Sequence, residues 1–168
     1  MASVQVSIQE TLFCSIERAF KSPMLCDVLK VHTGYLFMPK ALSVANDQNW
    51  GQVGGSKTIL FAKSLASFKE MCLADKVIER IENKYWKIEV WNTEGKLLFF
   101  DKFVGEWEVI PLEPNLNRIN YTYSLTFGSK WLIPFAWLFA QLFWKAYMGN
   151  VMRNIKPMAE SNEPFLYP

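Results

Sequence analysis

The sequence has little histidine, few cysteines and no marked excess of charge of either sign. His32 is the only histidine, so acid–base chemistry that needs an imidazole near neutral pH would have to use it. Cys14, Cys26 and Cys72 are odd in number and lack the close pairing of zinc ligands, which predicts reduced thiols and no metal site. The formal net charge of +2, with acidic and basic residues interspersed, predicts that nucleic acid is not a partner.

The chain also lacks the signals of targeting, of cofactor binding and of several domains. Residues 1–10 contain neither a basic stretch nor an apolar run, so no signal peptide is predicted and a cytoplasmic location is expected. The stretch from Gly51 to Lys57 does not have the spacing of a Walker loop, and no cofactor is expected. No repeat or linker interrupts the chain, which predicts a single domain over residues 1–168.

Large apolar side chains are what the sequence has in excess. Hydrophobic residues make up 51% of the chain and aromatic residues 15%, with seven tryptophans and thirteen phenylalanines. Each such ring buries a large apolar area when it is packed. The composition therefore predicts a core or a cavity that is lined by aromatic rings.

The pattern along the chain predicts mainly β-structure before residue 128. Apolar and polar residues alternate over residues 4–10, which predicts a first strand with one buried face. Serines that can cap helices precede two short helical segments, at residues 15–20 and 22–30. Six further strands, separated by turn-rich segments, are predicted at residues 36–45, 56–61, 76–83, 85–92, 96–110 and 118–127.

The end of the chain predicts one long helix with two different halves. The fourteen residues from Trp131 to Trp144 carry no charge, and Pro134 suits the first turn of a helix that starts near Ile133. From Trp144 onward the helix is amphipathic, with one apolar side. Residues 135–143 are apolar all round, which predicts burial on every side or a surface that meets lipid or another subunit.

Three roles stay open for this apolar half of the helix. It closes a cavity and marks the ligand entrance, it forms a homodimer contact through Trp131 to Trp144, or it makes a transient contact with a membrane surface. A spanning helix needs about twenty apolar residues, and Lys145 interrupts the run, so none is predicted. The tail at residues 162–168 is expected to pack Phe165 or Tyr167 loosely.

The order of elements and several local sequences resemble one known superfamily. The order is a strand, two short helices, six strands and a long C-terminal helix. This order resembles that of the START-like, or SRPBCC, superfamily, and the local sequences resemble its polyketide cyclase/dehydrase-like branch. Many members have a Gly-Gly-Thr turn before the last strand, where this chain has Pro114-Asn-Leu-Asn117. The local sequences that carry the resemblance are Ser15-Ile-Glu-Arg-Ala-Phe20, Trp50-Gly-Gln-Val-Gly-Gly-Ser-Lys-Thr58, Glu79-Arg-Ile81, Tyr85-Trp-Lys-Ile-Glu-Val90 and Gly105-Glu-Trp-Glu-Val-Ile-Pro111.

The resemblance implies an α+β helix-grip fold (START/Bet v 1-like). In that fold a curved antiparallel seven-stranded sheet surrounds the long C-terminal helix, with two short helices after the first strand. It also implies a cavity between sheet and helix that holds hydrophobic ligands, while the alternative is a core filled by the rings. The candidate ligand-binding residues are Trp86, Ile88, Phe99, Asp101, Phe103, Trp107, Tyr121, Tyr123, Phe139, Trp144, Met148 and Val151.

Asp101 is the one charged residue among these candidates. It follows the same alternation as Leu97, Phe99 and Phe103, so its carboxylate is predicted to point inward as a ligand anchor or a general base. The alternative is a bulge near Lys102 that turns the carboxylate outward.

Two other kinds of polar side chain belong to the candidate region. Tyr121 and Tyr123 each combine a ring with a hydroxyl group, which either orients a ligand or packs in the core. His32 is expected at the end of the second helix, near the cavity mouth, as a surface or capping residue.

The leading hypothesis for function is non-catalytic binding or transport of a hydrophobic small molecule that is lipid, polyketide or isoprenoid-like. It is preferred because no charged pair, metal cluster or catalytic triad emerges from the sequence. The alternative is a polyketide cyclase/dehydratase-like enzyme in which Asp101, with Tyr121 or Tyr123, moves protons. A third hypothesis is a protein-interaction module that docks through the apolar half-helix.

Overall fold

Seven strands precede a long C-terminal helix in the computed structural model, which describes residues 1–64, 69–94 and 98–161. The expectations for Leu97, Phe165 and Tyr167 lie outside these described residues. The elements are β1 Ala2–Leu12, α1 Ile16–Leu25, α2 Val28–Val31, β2 Ala41–Asn46, β3 Ser56–Phe61, β4 Met71–Ile81, β5 Tyr85–Asn92, β6 Phe100–Glu113, β7 Leu116–Phe127, α3 Ile133–Phe139 and α4 Lys145–Glu160.

The strands form one antiparallel sheet in the order β1-β7-β6-β5-β4-β3-β2. The two edges, β1 and β2, do not pair with each other, so the sheet is not closed. The inner face carries buried residues from every strand, and the C-terminal helix lies against it. The expected α+β helix-grip architecture, with seven antiparallel strands and two short helices after β1, is therefore confirmed.

The two short helices are divided at a different place from the one predicted. Residues 22–25 belong to α1, which continues through Pro23, and the Ser22 hydroxyl donates to the carbonyl oxygen of Arg18. The second helix begins only after Asp27, whose carboxylate accepts a hydrogen bond from the Leu29 backbone N–H at 3.0 Å. Asp27, and not Ser22, is the cap of α2.

Strand bounds differ from the predictions where the backbone turns. Residues 35–38 form a tight turn in which Leu36 has a φ of 54°, so β2 begins at Ala41 and not at residue 36. In contrast, β4 begins at Met71, five residues earlier than predicted. The β6–β7 hairpin turns at Pro114 and Asn115, and Asn115 accepts a φ of 60°, which asparagine tolerates better than most residues.

The C-terminal helix, used here for residues 133–160, begins where the sequence predicts, at Ile133. A 3₁₀ turn, Lys130–Leu132, precedes it, and a π-helical turn, Ala140–Trp144, joins α3 to α4. No helix in the described ranges is long and apolar enough to cross a lipid bilayer. The predicted apolar side of α4 is buried; it comprises Trp144, Tyr147, Met148, Val151 and Ile155.

Polar contacts hold α4 over the sheet. The Arg18 guanidinium of α1 donates to the carbonyl oxygens of Ala159 and Met158 at 2.8 and 2.9 Å, at the C-terminal end of α4. Lys156 donates to the Glu10 carboxylate at 2.7 Å and to the Thr11 carbonyl oxygen at 2.9 Å. These bonds tie the end of the helix to both α1 and β1, so α4 is held in a fixed position over the sheet.

Candidate ligand cavity

A cavity lies between the inner face of the sheet and α4. Its volume is about 90 Å³, counted as the space open to the centres of water molecules. One water needs about 10–15 Å³ on this measure, so the core is not filled by its rings. The cavity is lined by residues of β3, β4, β5, β6, β7 and α4, together with Pro23, Val31, His32 and Trp50.

Nine of the twelve candidate residues predicted from the sequence line this cavity. They are Trp86, Ile88, Phe103, Trp107, Tyr121, Tyr123, Trp144, Met148 and Val151. Phe99 and Phe139 do not line it; their ring centroids lie 4.3 and 5.2 Å from that of Phe100, which is completely buried. These two residues therefore pack in an aromatic cluster beside the cavity and not on its wall.

Asp101 is also outside the cavity lining, which corrects the predicted register. Phe100 pairs with Phe127 and Lys102 with Thr126, so Asp101 occupies a β-bulge between these pairs. The bulge shifts the alternation by one residue, which is why both Phe100 and Phe103 are buried. The alternative reading, a bulge near Lys102, describes the observed strand.

The charged residues that line the cavity are Lys57, Asp75 and Glu106, and the sequence analysis placed none of them there. Glu106 is paired with Lys87, with 3.1 Å between Glu106 Oε1 and Lys87 Nζ. Lys57 and Asp75 face each other directly across β3 and β4, with 3.5 Å between Lys57 Nζ and Asp75 Oδ2, and both are buried. A signal for each was present: Lys57 alternates with the apolar Ile59 and Phe61, and Asp75 lies between Leu73 and Val77.

Burial and the ring of Trp50 define the surroundings of this pair. Burial raises the pKa of the Asp75 carboxyl, and the Lys57 ammonium partly offsets that rise. Lys57 Nζ also lies 4.2 Å from the ring centroid of Trp50, a cation–π contact. Trp50 is itself held by a 2.8 Å hydrogen bond from its indole N–H to the Met24 carbonyl oxygen.

His32 caps α2 beside the cavity, which is one of the two roles that the sequence predicted, and its half-buried ring lines the cavity wall. Its Nδ1 shares a 2.7 Å hydrogen bond with the Tyr147 hydroxyl group. Burial, with a smaller contribution from the Lys57 ammonium, lowers the pKa of His32 to about 3. The imidazole is therefore neutral at physiological pH.

The tyrosines supply further hydroxyl groups to the same wall. The rings of Tyr121 and Tyr123 meet edge to face, with 5.3 Å between their centroids. Burial raises the pKa of both phenols well above the usual value, and the negative charge of Asp75 contributes to the rise at Tyr123. Both hydroxyl groups therefore stay protonated and can donate hydrogen bonds.

Two indole N–H groups of the cavity-lining residues have no partner. Trp86 and Trp144 are 4% and 6% exposed, and neither Nε1 atom has an acceptor within the described part of the chain. The Trp144 ring stacks on Phe103 at a centroid distance of 4.7 Å and meets Tyr123 edge to face at 5.3 Å. Within the described ranges, no group of three or more His, Cys, Asp or Glu side chains could hold a metal ion.

Comparison with known proteins shows the fold through structure and not through sequence. No family profile matches the sequence, and no curated protein matches it. Ara h 8.0201 has a TM-score of 0.69 at 12% identity, covering 96% of this chain and 100% of its own.

Two other solved structures are similar over nearly the same length. The KanY protein has a TM-score of 0.64 at 12% identity, covering 96% of this chain and 100% of its own. A Thalictrum norcoclaurine synthase, a point mutant in complex with a transition-state analogue, has a TM-score of 0.63 at 13% identity, covering 94% of each chain. These structures confirm the predicted α+β helix-grip fold.

Proposed function

We propose that the protein binds a small molecule with a largely apolar body in the cavity beneath α4, and carries or presents it without changing it. The observation that supports this proposal is the cavity itself, which is walled by aromatic rings and has a few buried polar groups. The Thalictrum norcoclaurine synthase, which has a similar fold, is in complex with a transition-state analogue. Lipid, polyketide and isoprenoid-like compounds are the classes we favour.

A titration with 1-anilinonaphthalene-8-sulfonate tests whether the cavity accepts a ligand. Val151 lines the cavity, so Val151→Phe fills it, while Val53→Phe makes the same change at an exposed site. We expect fluorescence enhancement in the native protein and in Val53→Phe, and a loss of about 10-fold or more in affinity for Val151→Phe. Equal affinity in all three proteins would place the dye on the surface and count against the proposal.

Native mass spectrometry of the freshly purified protein tests the carrier role more directly. A co-purified molecule that adds a discrete mass to the native protein and is lost from Val151→Phe supports it. A protein that consistently purifies empty, and gives no thermal shift with lipid or polyketide extracts, contradicts it, because a ligand that binds only the folded state must raise its stability.

A second candidate is an enzyme of the polyketide cyclase/dehydratase-like kind, and the observation that favours it is the buried Asp75. Its raised pKa places it closer to neutral pH, where a general acid or base works best, and Tyr121 and Tyr123 share the cavity. On this hypothesis Asp75 takes the role that the sequence analysis gave to Asp101.

The two functions differ in what an inactive variant would accumulate. An enzyme would co-purify with product, whereas Asp75→Asn, or Tyr121→Phe if the first variant does not fold, would co-purify with a substrate of different mass. Identical bound masses in the native and variant proteins would rule against the enzyme. A cytoplasmic location and a single domain over residues 1–168 stay predictions.

A further inference from the structure

Two leucines at turn positions have a backbone conformation that is unfavourable for a large side chain. Leu36 and Leu98 have φ angles of 54° and 57°, in the left-handed region, and they are 74% and 43% exposed. A bulky residue is strained in this region, and its exposure to water gains no burial in return. The other non-glycine residues with a positive φ in the described ranges are Asn83 and Asn115, and asparagine tolerates this conformation. Stability therefore does not explain why the first two positions carry leucine.

Both leucines lie at the end of the sheet where β7 ends and the chain continues to α3, here called the α3 end. The first residue of β6 pairs with the last residue of β7, so Leu98, just before β6, lies at this end. Leu36 adjoins Phe37, whose ring centroid lies 4.7 Å from that of Phe143 in the C-terminal helix. The two asparagines, in contrast, lie in the β4–β5 and β6–β7 hairpins at the opposite end of the sheet. The strained leucines are thus confined to one end of the molecule.

The outer side of α3 adds many more exposed apolar side chains at this end. Within residues 131–142 the large, apolar and exposed residues are Trp131, Ile133, Phe135, Trp137, Leu138 and Leu142. These six residues and the two leucines are here called the apolar patch. The only buried residues of this segment, which the structure describes completely, are the small Ala136 and Ala140. A helix that served only to cover the sheet would bury its large side chains, and a concentration of exposed ones marks a contact surface.

Exposed lysines flank α3 on both sides along the chain. Lys130 lies in the 3₁₀ turn before α3, and Lys145 is the first residue of α4, after the π-helical turn. Residues 128–159 contain no acidic residue. Asp101 approaches this segment from β6, since its Oδ2 lies 3.8 Å from the position that a Cβ would take at Gly128, and it offsets part of the positive charge. The segment that carries most of the apolar patch is therefore basic.

The chain connections at the α3 end add further positive charge. They are residues 32–40, 62–70, 93–99 and 128–132. Their described charged side chains, all exposed, are Lys40, Lys63, Lys69 and Lys130, with Glu70 and Glu94. Lys69 and Glu94 pair with each other, with 3.0 Å between Nζ and Oε2. With Lys145 and Asp101 included, five basic and three acidic side chains belong to this end, so its net charge is positive.

We infer that the apolar patch docks on the surface of an anionic lipid membrane, with α3 lying in the plane of the headgroups. The tryptophans and the other apolar side chains enter the boundary between headgroups and acyl chains, while the lysines contact the anionic headgroups. A second copy of the chain fits this surface less well, because a symmetric contact would bring basic residues together. Docking of this kind does not require a ligand in the cavity beneath α4.

Flotation of the full chain with lipid vesicles tests this docking. Vesicles of phosphatidylcholine alone are compared with vesicles that also contain phosphatidylglycerol, at low and at high concentrations of sodium chloride. We expect co-flotation mainly with the anionic vesicles, and less of it at high salt, because salt screens the attraction between lysines and headgroups. Tryptophan fluorescence should also shift to shorter wavelength on binding, since Trp131 and Trp137 are exposed in the free protein and leave water on docking.

Phe135 and Phe13 provide a matched pair of variants. Phe135 is 67% exposed in the apolar patch, whereas Phe13 is 66% exposed at the other end of the molecule, where its backbone N–H donates to the Glu160 carboxylate. We expect Phe135→Ser to lower the partition coefficient onto anionic vesicles by about 10-fold or more, because it removes a ring that enters the membrane. Phe13→Ser removes an equally exposed ring outside the apolar patch and should leave the partition coefficient unchanged.

A substitution at Leu36 separates membrane binding from stability. Asparagine tolerates the left-handed conformation of this position, so Leu36→Asn should unfold at the same temperature as the native protein or at a higher one. The same substitution removes an apolar side chain from the apolar patch, and we expect it to lower vesicle binding several-fold. A variant that is at least as stable but binds vesicles less well would show that the leucine serves the surface and not the fold.

Lysine variants measure the electrostatic contribution. A basic residue close to an anionic surface raises the partition coefficient about 5-fold. We therefore expect Lys130→Gln and Lys145→Gln each to lower binding to the phosphatidylglycerol vesicles by about this factor, and the effect to diminish at high salt. Lys84→Gln is the control, because Lys84 is exposed in the β4–β5 hairpin at the opposite end of the sheet.

Several results would overturn membrane docking by the apolar patch. Protein that stays in solution with both kinds of vesicle has no such surface. Equal binding to both kinds of vesicle contradicts the role of the lysines, and equal losses in Phe135→Ser and Phe13→Ser place the contact elsewhere. A stable dimer in light scattering that Phe135→Ser dissociates assigns the apolar patch to a second copy of the chain. Circular dichroism of each variant before flotation separates a lost surface from a lost fold.

Discussion

Lys57 and Asp75 are the residues whose chemistry is hardest to explain by stability alone. A buried ion pair often stabilises a protein no better than apolar residues of similar volume, because both charges lose their hydration. Here the pair lies in a cavity wall between apolar neighbours, Ile59 and Leu73. Its position therefore favours a role in the site.

Replacing one member of the pair should lower the free energy of unfolding much more than replacing both. Asp75→Asn leaves the Lys57 ammonium buried beside a neutral amide, and we expect the free energy of unfolding to fall by about 3–5 kcal/mol. The double variant Lys57→Met, Asp75→Leu should recover most of this loss. Urea unfolding at neutral pH measures both, and a small loss in the single variant would show that the pair is hydrated.

His32 makes the stability depend on pH in a defined window. Its pKa is about 3 in the folded protein and about 6.5 in an unfolded chain, so below about pH 6.5 the unfolded state takes up a proton that the folded state does not. The stabilisation is complete above about pH 6.5 and is lost progressively as the pH falls toward 3.

A matched variant isolates this contribution. Between about pH 7 and about pH 5 we expect His32 to account for roughly 2 kcal/mol of lost stability. His32→Asn keeps a side-chain group that can bond to the Tyr147 hydroxyl but does not titrate. Urea unfolding at both pH values should show a smaller decrease for His32→Asn, and equal decreases would contradict the buried, neutral imidazole.

Among the elements, β6 explains why part of the candidate site was predicted and part was not. From Phe103 to Val109 every second residue faces inward, as the sequence predicts, and Phe103 and Trp107 line the cavity. The bulge at Asp101 breaks this alternation. A bulge has no reliable signal in the alternation itself, because it arises from pairing with β7.

Replacing either of two glycines, Gly149 and Gly105, by alanine should change the free energy of unfolding in opposite directions. A Cβ at Gly149, in α4, would contact no neighbouring element within 4 Å, and alanine is the better helix former. A Cβ at Gly105, in β6, would lie 3.0 Å from Tyr123 Cζ and 3.1 Å from Ile88 Cγ1, both in the cavity wall.

We therefore expect Gly149→Ala to raise the free energy of unfolding by about 0.5–1 kcal/mol. Gly105→Ala should lower it by about 1–3 kcal/mol because the Tyr123 ring has to move. Thermal or urea unfolding of the two variants beside the native protein measures both changes. An unchanged free energy of unfolding in Gly105→Ala would mean that the Tyr123 ring moves into the cavity without strain.

At the scale of the whole molecule, the alkylation rate of the Cys14 and Cys26 thiols measures unfolding of the protein. Burial raises the pKa of Cys14 and of Cys26 to about 11, so at pH 8 or below their thiolate fraction is about 100-fold lower than that of a thiol with the usual pKa of 9. In a Cys72→Ser protein, alkylation by iodoacetamide near pH 8 should be slow and should accelerate through the urea unfolding transition. Rapid alkylation without urea would show that either thiol is accessible in the folded state.

Large parts of the molecule were determined by the sequence alone. Alternation predicted most of the strands, and helical spacing predicted the buried side of α4. These two features rest on periodicity within one element, which is written in consecutive residues. The helix-grip fold was implied by the resemblance to the START-like superfamily, and nine of the twelve candidate residues line the cavity of that fold.

What only the tertiary structure decided is how neighbouring elements meet. The bulge that removes Asp101 from the cavity depends on the register between β6 and β7, and the Lys57–Asp75 pair depends on the register between β3 and β4. Likewise, the imidazole of His32 is neutral because the fold removes it from water and brings it near Lys57, and it bonds to Tyr147, which is 115 positions away. Burial and pKa are properties of the assembled neighbours, so the polar chemistry of the cavity appears only when the strands and the helix are in place.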